Sequence, residues 1–525
     1  MFFYMPYAKI NLYCFKEKII MLILSPEEIR NAEDTANKNG LSYDDMMESA
    51  GAGCAEHILR NYPDAKNIVI LCGKGKNGGD GFVIARYLKE AEKNVSIIKA
   101  FNCTSDSLSE KNRELIDGRV NIFDGSHITK NIISLINSAD IIVDAVFGIG
   151  FKGELPENIQ RLFALSALSS AKKIAVDIPS GLSIHSESIE NCFKADETLS
   201  MLCYKKEHIY KPYSEICGKV SIIPIGFGVI SNEIEAKTSA EIKSMLPPRP
   251  YDANKGTFGK ALLIAGSYNT PGAGIISAKG SFSMGAGLTF FAFPNRIYDT
   301  VTAHLTESVF RPLSSDENGN FSISAFSEIK DNLPSFDAIA IGPGIGTSKG
   351  AENLVFNIIK HYKGKLIIDA DGINIISHNI DILKESEADI ILTPHPGEMS
   401  RLTKLDIKAI NSARIGIAKD FAEKHNVNIL LKGANTVIAS PAGKIFINPT
   451  GGAALSRGGS GDLLTGIVLA LCSQGKNSFD AGVTASYIHG LAGEIAEKKY
   501  TAYSATIDRI INCIPKALSK IISGK

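Results

Sequence analysis

GGSGDLLTG, Gly458 to Gly466, is a glycine-rich turn that leads into an apolar helix and sets Asp462 at the start of that helix. Glycines let backbone N–H groups come close to an anionic phosphate, and the first helical turn adds unpaired donors and a positive dipole end. An aspartate in that place can deprotonate a hydroxyl. The stretch therefore suits phosphoryl transfer, although alone it also fits a helix start that merely packs tightly.

Its surroundings favour chemistry. Upstream, short apolar runs alternate with helical patterns: KALLIAGS from Lys260, the small-residue helix GAGIISAKGSFSMGAG, then LTFFAFP, FDAIAIGPGIG, KLIIDADGINII, ADIILTPHPGEMSRL, VNILLKGANTVIAS and KIFINP. This order predicts an α/β domain with a parallel sheet, ending in helices of which Ile507 to Ile522 is one. GPGIG (Gly342 to Gly346), HPGEM (His395 to Met399) and KGANT (Lys432 to Thr436) each end a predicted strand. Strand C-termini converge on one edge of a parallel sheet, so these loops should meet the glycine turn.

Between Gly228 and Pro250 the pattern shifts to a polar helix-like stretch, SAEIKSMLPPRP, carrying Pro247, Pro248 and Pro250, and a domain boundary is expected there. Ahead of it, NIVILCG from Asn67, a second glycine loop, DGFVIARYLKEAEKN and VSIIKAF follow in β-loop-α-β order. ADIIVDAVFG (Ala139 to Gly148) and KKIAVDIPSG (Lys172 to Gly181) end in small or acidic residues, as strands do when they open into a crevice. A Rossmann-like three-layer fold is expected. The glycine loop GKGKNGGDGF, Gly73 to Phe82, has neither Walker nor G-x-G-x-x-G spacing and by itself reads as a tight turn between strand and helix. Asp80 in particular reads as an aspartate of a first helical turn, stabilising whatever the function.

Composition narrows the partners. A chain of 525 residues exceeds one ordinary core, so two domains are expected. Lys plus Arg and Asp plus Glu stand at 56 each, which gives no pull toward nucleic acid or a membrane surface and favours a small molecule. Nine cysteines without a C-x-x-C pair read as reduced thiols of the cytoplasm. The first 20 residues are apolar but broken by Lys9, Lys16, Glu17 and Lys18, and no uninterrupted span of membrane length follows. Ser25, Pro26 and Glu28 make an N-cap, a first-turn proline and a capping-box glutamate, so folded structure is expected to begin near Met21, after an upstream extension or a misassigned start.

The combination AGS, GPGIG, TPHPGEM, KGANT and TGG…GGSGDLLTG resembles the NAD(P)H-hydrate dehydratases of the ribokinase-like superfamily, over Ala240 to Lys525. Over Met21 to Gly228, the first glycine loop with DAVFGIGFKGE (Asp144 to Glu154) and DIPSG (Asp177 to Gly181) resembles the NAD(P)H-hydrate epimerases. The joint resemblance implies a repair enzyme that interconverts R and S hydrates of NADH and NADPH and dehydrates S at the expense of ADP or ATP, with Mg2+. In the dehydratase half it implies that Asp462 is the general base, that Lys432, Gly433, Ala434, Asn435, Thr436 and Gly461 bind the nucleotide, and that Ala273, Gly344 and His395 approach the hydrate. In the epimerase half it implies that Asn77, Asp144 and Ser180 give oxygens to a potassium ion. The hydrate would be contacted by Lys76, Asn77, Gly78, Gly79 and Asp80, by Gly148, Ile149, Gly150, Phe151, Lys152, Gly153 and Glu154, and by Asp177. Asp177 would be the acid/base at C6, with a helix cap or a ribose contact as its alternative. Family habit also implies a homo-oligomer.

Some positions depart from the family pattern. Lys76 stands where asparagine is usual, Gly452 where asparagine is expected, and Ser456-Arg457 replaces small residues, which leaves ADP against ATP open. Nearby phosphates should outweigh the helix dipole and raise the basicity of Asp462 when nucleotide binds. Two other readings stand. The second half could phosphorylate a small alcohol such as a vitamin precursor, and the first half could be a non-catalytic dinucleotide-binding or protein-interaction module.

Overall fold

The computed structural model describes residues 21–101, 107–183, 189–210, 212–227, 234–237 and 239–523. The expectation concerning the first 20 residues lies outside that set. The chain divides into two compact units, 22–231 and 232 onward.

The first unit opens as expected on the helix Pro26–Lys38, where the Ser25 hydroxyl accepts from the Glu28 N–H and Glu28 accepts from the Ser25 N–H. Its sheet is built from β1 (Asn67–Cys72), β2 (Asn94–Lys99), β3 (Asn121–Asp124), β4 (Ile141–Ala145), β5 (Lys172–Val176), β6 (Glu197–Met201) and β7 (Lys219–Ile223). Their order is β3-β2-β1-β4-β5-β6-β7, with all pairs parallel. Alternation along β1 feeds two cores. Ile68, Ile70 and Cys72 pack with Cys54, Ile58 and Phe82 on one face, while Val69 and Leu71 pack with Ile132, Ile136, Ile159 and Leu162 on the other. A sheet covered on both faces leaves its strand ends for chemistry, and the chain reverses direction across the sheet between β1 and β4. There the Gly73 N–H donates to Ala145 O at 3.0 Å. A Cβ on Gly73 would lie 1.9 Å from Val146 O, so only glycine fits.

The second unit contains β8 (Lys260–Ile264), β9 (Leu288–Pro294), β10 (Val309–Leu313), β11 (Ala338–Ile341), β12 (Lys365–Ile368), β13 (Asp389–Leu392), β14 (Asn428–Leu431), β15 (Val437–Ala439) and β16 (Ile445–Ile447). They are ordered β16-β15-β14-β13-β12-β11-β8-β9-β10. Only the β14–β15 and β15–β16 pairs among these are antiparallel. The apolar helix Ser460–Ser473 packs into the main core through Leu463, Ile467 and Leu471, beside the long helix Ser478–Ser504. One expectation fails: Ile507 to Ile522 is two helices, Ile507–Ile511 and Ile514–Ser523. Pro515 has no N–H to give the preceding turn, so the helix restarts around it.

No helix among the described residues is long and apolar enough to cross a membrane. The cysteines among them are all buried and form no disulfide.

Candidate active sites

In the first unit, Asp144 ends β4 fully buried. Its Oδ2 accepts from the Ser180 N–H at 2.7 Å, and its Oδ1 from the Ser180 hydroxyl at 2.6 Å and the Val146 N–H at 3.2 Å. Ser180 Oγ accepts from the Phe147 N–H at 2.8 Å, and Asn77 Nδ2 donates to Phe147 O at 3.0 Å. Asn77, Asp144 and Ser180 thus share one hydrogen-bonded chain. Burial raises the Asp144 pKa to about 6 against the pull of those bonds.

Asp177 follows β5 with φ of +68°, the left-handed region that aspartate visits more readily than most residues. The fully buried Lys205 ammonium contacts its Oδ1 and donates to Ser200 Oγ and Met201 O, both at 2.8 Å. Burial presses the Asp177 pKa upward, but the Lys205 charge and hydrogen bond hold it below the usual carboxylate value. His208 Nδ1 accepts from the Lys205 N–H at 3.1 Å, so the proton sits on Nε2, which donates to Asp177 O at 2.9 Å. Burial, then the Lys205 charge, pushes the His208 pKa down to about 3 and keeps the ring neutral.

A Cβ on Gly148 would stand 3.4 Å from Asp177 Oδ2 and 3.6 Å from Asn77 Cγ, so three loops meet at that point. They open on a cavity of about 580 Å³ whose wall includes Lys76, Asn77, Asp80, Gly148 to Lys152, Asp177 and Lys205. A second cavity, about 1100 Å³, shares Ile149 to Lys152 and adds Gly153 and Glu154. Lys76 reaches Glu33 at 2.9 Å and lies over the Tyr43 ring. Gly78 and Gly79 line neither cavity: added Cβ atoms would meet Gly73 O at 1.9 Å and Met47 Cε at 2.6 Å, so they serve close packing.

Asp80 also differs from expectation. The helix spans Lys76–Glu90 behind Gly75, with no acidic residue in its first turn, and Asp80 lies beyond the reach of the dipole end. Gly78 and Gly79, expected in a turn, are helical, whereas Gly73 and Gly75 precede the helix; the close approach of Gly73 and Met47 leaves no room for side chains at 78 and 79.

In the second unit the loop ends converge on Lys432. Its Nζ donates to Asp369 Oδ1 at 2.8 Å and lies 3.8 Å from Glu398 Oε2. Asp369 Oδ2 accepts from the Thr465 hydroxyl at 2.6 Å, which ties the end of β12 to the glycine-turn helix. A Cβ on Gly461 would stand 3.2 Å from Lys432 Nζ, placing the ammonium against that helix's first turn. Asp462 lies in the same turn, and no side-chain cap occupies the helix start. Burial, and then the Asp369 charge, raises its pKa to about 6, with Lys432 opposing. A partly buried carboxylate with its pKa near 6 suits general base chemistry.

The remaining loops frame this centre. His395 caps the helix Pro396–Thr403: its Nδ1 accepts from the Gly397 N–H at 2.9 Å, and the His395 N–H donates to Glu398 Oε2 at 2.8 Å. Its half-exposed Nε2 lies 3.3 Å from Glu398 Oε1. The Lys432 N–H donates to Pro394 O, joining HPGEM to KGANT. Gly433 and Ala434 are exposed at a turn in which Asn435 takes φ of +54° and the Thr436 hydroxyl donates to Gly433 O at 3.1 Å. A Cβ on Gly344 would come within 2.9 Å of the Ala273 methyl. The helix Pro271–Ser283 that carries Ala273 packs on the Asp462 helix, and the Ser277 hydroxyl donates to Asp462 O at 2.9 Å.

The sequence reading missed Lys205, His208, Asp369 and Thr465. Asp369 had a usable signal, a strand-end aspartate in LIIDADG like those of Asp144 and Asp177. Lys205 had none, since LCYKKEH does not reveal which lysine turns inward.

Residues 261–516 match the family model for NAD(P)H-hydrate dehydratase, and residues 43–207 match that of the YjeF-related protein N-terminus. The bifunctional NAD(P)H-hydrate repair enzyme of Moorella thermoacetica is 31% identical over 494 residues, covering 91% of this chain and 92% of its own. Its Escherichia coli namesake is 28% identical over 501 residues, covering 93% of each. Among solved structures, the ADP/ATP-dependent NAD(P)H-hydrate dehydratase of Bacillus subtilis, co-crystallized with ATP and Mg2+, is 28% identical with a TM-score of 0.48. That match covers 56% of this chain and all of the other.

Proposed function

The chain belongs to the bifunctional NAD(P)H-hydrate repair enzymes, and from that premise we propose that its first unit epimerises the hydrate at C6 of the nicotinamide ring and its ribokinase-like second unit dehydrates the S form with ADP or ATP. The observation that carries the proposal is Asp462, a carboxylate with its pKa near 6 in the first turn of an uncapped helix, beside Lys432.

Hydroxide is a poor leaving group. Asp462 takes the proton of the C6 hydroxyl as its oxygen attacks the terminal phosphorus, while the N–H groups of Gly459 to Gly461 and the Lys432 ammonium face the phosphate charge. The ring nitrogen's electron pair then expels phosphate, a proton leaves C5, and the dihydropyridine is restored. KGANT borders the nucleotide, and Ala273, Gly344 and His395 border the hydrate. Among the described residues no group of three or more His, Cys, Asp and Glu side chains could hold a metal. Mg2+ bound with the nucleotide would neutralise charge on the phosphates that Lys432 and the Gly459 to Gly461 turn face.

In the first unit, Asp177, in the cavity wall, is the acid/base for a reaction in which the C6 oxygen leaves and water returns on the other face. Asn77, Asp144 and Ser180 present oxygen to a hard monovalent cation, and the fully buried Asp144 has no cationic partner among the described residues. Potassium held there would supply fixed positive charge beside the loop that borders the substrate. NADH and NADPH hydrates are the small-molecule partners, and the cytoplasm, where reduced nicotinamides are used, is the inferred location.

The test is a time course on mixed R and S hydrate with ADP or ATP, with and without potassium. Reduced-nicotinamide absorbance should return with one inorganic phosphate per turnover until both epimers are consumed. A stable phosphorylated substrate would instead establish a small-alcohol kinase.

A further inference from the structure

We infer that Asp80 is a second catalytic residue of the first unit's cavity, the carboxylic acid that protonates the departing C6 oxygen while Asp177 receives the proton of the returning water. The inference rests on the reading of this unit as an epimerase.

Four observations carry it. Asp80 is 9% exposed and contributes to the wall of the 580 Å³ cavity that also holds Asp177. It stands one helical turn beyond Asn77, whose side chain lies with that of Asp177 around Gly148. Its carboxyl has no hydrogen bond or ion pair to any described residue, whereas buried carboxylates with a structural task are paired. Finally, the helix begins at Lys76, so the dipole gives Asp80 no structural reason to be acidic.

The electrostatics divide the two carboxyls. Burial, then the charges of Asp177 and Glu33, press the Asp80 pKa well above the ordinary value, with Lys76 opposing. Arg30, Lys74, Lys152 and Lys205 also line the cavity, and Lys205 is committed to Asp177, which it keeps ionised. Ile29, Met46, Met47, Ala50, Leu108 and Ile225 are among the apolar residues of the wall. Two carboxyls whose environments push their protonation apart are the arrangement that assigns acid and base.

The step balances. The proton of Asp80 goes to the C6 oxygen, the C6–O bond breaks with its electron pair, and the ring nitrogen's lone pair forms N1=C6 as water leaves. Asp177 stabilises that cation. Water then adds to the opposite face, its proton passes to Asp177, the N1=C6 pair returns to nitrogen, and the C6–O bond forms. Transfer of the proton from Asp177 to Asp80 through solvent restores both groups. The electrophile is cationic, so a weakly basic Asp177 is enough for the second half.

The experiment measures R-to-S interconversion of NADPH hydrate by the full chain without nucleotide, from pH 5 to 9. In the wild type, kcat/KM should fall on an alkaline limb as Asp80 loses its proton; a profile flat to pH 9 overturns the inference. In Asp80→Asn, kcat should fall ~10²–10⁴-fold with KM within about threefold and the alkaline limb gone. In Asp80→Ala, added formate at pH 5 to 6 should restore part of the rate. A raised KM with unchanged kcat makes Asp80 a binding residue only and overturns the proposal, as does a wild-type rate in either variant. A wild-type chain that does not interconvert the epimers sinks the epimerase reading itself, a distinct outcome.

Discussion

Asp462 is held in a state that costs the fold something. Its pKa of about 6 exceeds the 3.8 of an exposed aspartate, so the folded chain binds this proton more tightly than the unfolded chain. The associated stability is complete below about pH 4 and is lost as pH rises through about 6. Asp462→Asn should therefore stabilise the second unit at pH 7 by on the order of 1–3 kcal/mol, read by denaturant melts, with the gain vanishing near pH 4. The same variant should lose dehydration ~10²–10⁴-fold while epimerisation continues, and the wild-type dehydration rate should fall below about pH 6. Asp369 behaves oppositely. Burial alone would raise its pKa, but Lys432 and Thr465 hold it down. Asp369→Ala should cost about 3 kcal/mol by leaving the Lys432 ammonium without its hydrogen-bonded partner, and should weaken nucleotide binding measured by calorimetry. Asp462 was legible because its glycine turn is local in sequence. The aspartate that governs its field comes from another strand end, and no spacing along the chain reveals that meeting.

At the scale of elements, glycine meant two things that a sequence does not separate. Gly73, between β1 and the helix, is a loop glycine, whereas Gly78 and Gly79 sit inside the helix because other atoms occupy the space of a side chain. The alternation of strands and helices was readable because burial on both faces writes continuous apolar runs. The division at Pro515 was missed although proline announced it, since the apolar period continues across the break. The helices Pro271–Ser283 and Ser460–Ser473 show what such close approach does for a site. A Cβ on Gly466 would lie 1.9 Å from Ser277 O, and one on Gly280 would lie 2.6 Å from Leu463 O. Gly466→Ala should destabilise the second unit by about 1–3 kcal/mol in guanidinium unfolding. It should also slow dehydration, because separating the helices breaks the Ser277–Asp462 hydrogen bond and draws Asp462 away from the Ala273–Gly344 edge.

At the scale of the molecule, each reaction belongs to its own unit. The cavity around Asp177 takes every lining residue from 22–231, and the Lys432 centre takes Asp369, Glu398, Thr465 and Asp462 from the portion after 232. In the full chain Asp177→Asn should halt consumption of a mixed hydrate once its S fraction is spent, leaving R to isomerise at its uncatalysed rate, as chromatography of the residue would report. This containment has a genetic consequence. Lesions in the two halves should fall into separate complementation groups. Two singly defective proteins, one carrying Asp177→Asn and the other Asp462→Asn, should together clear the mixture that neither clears alone, with the free hydrate as the messenger between them.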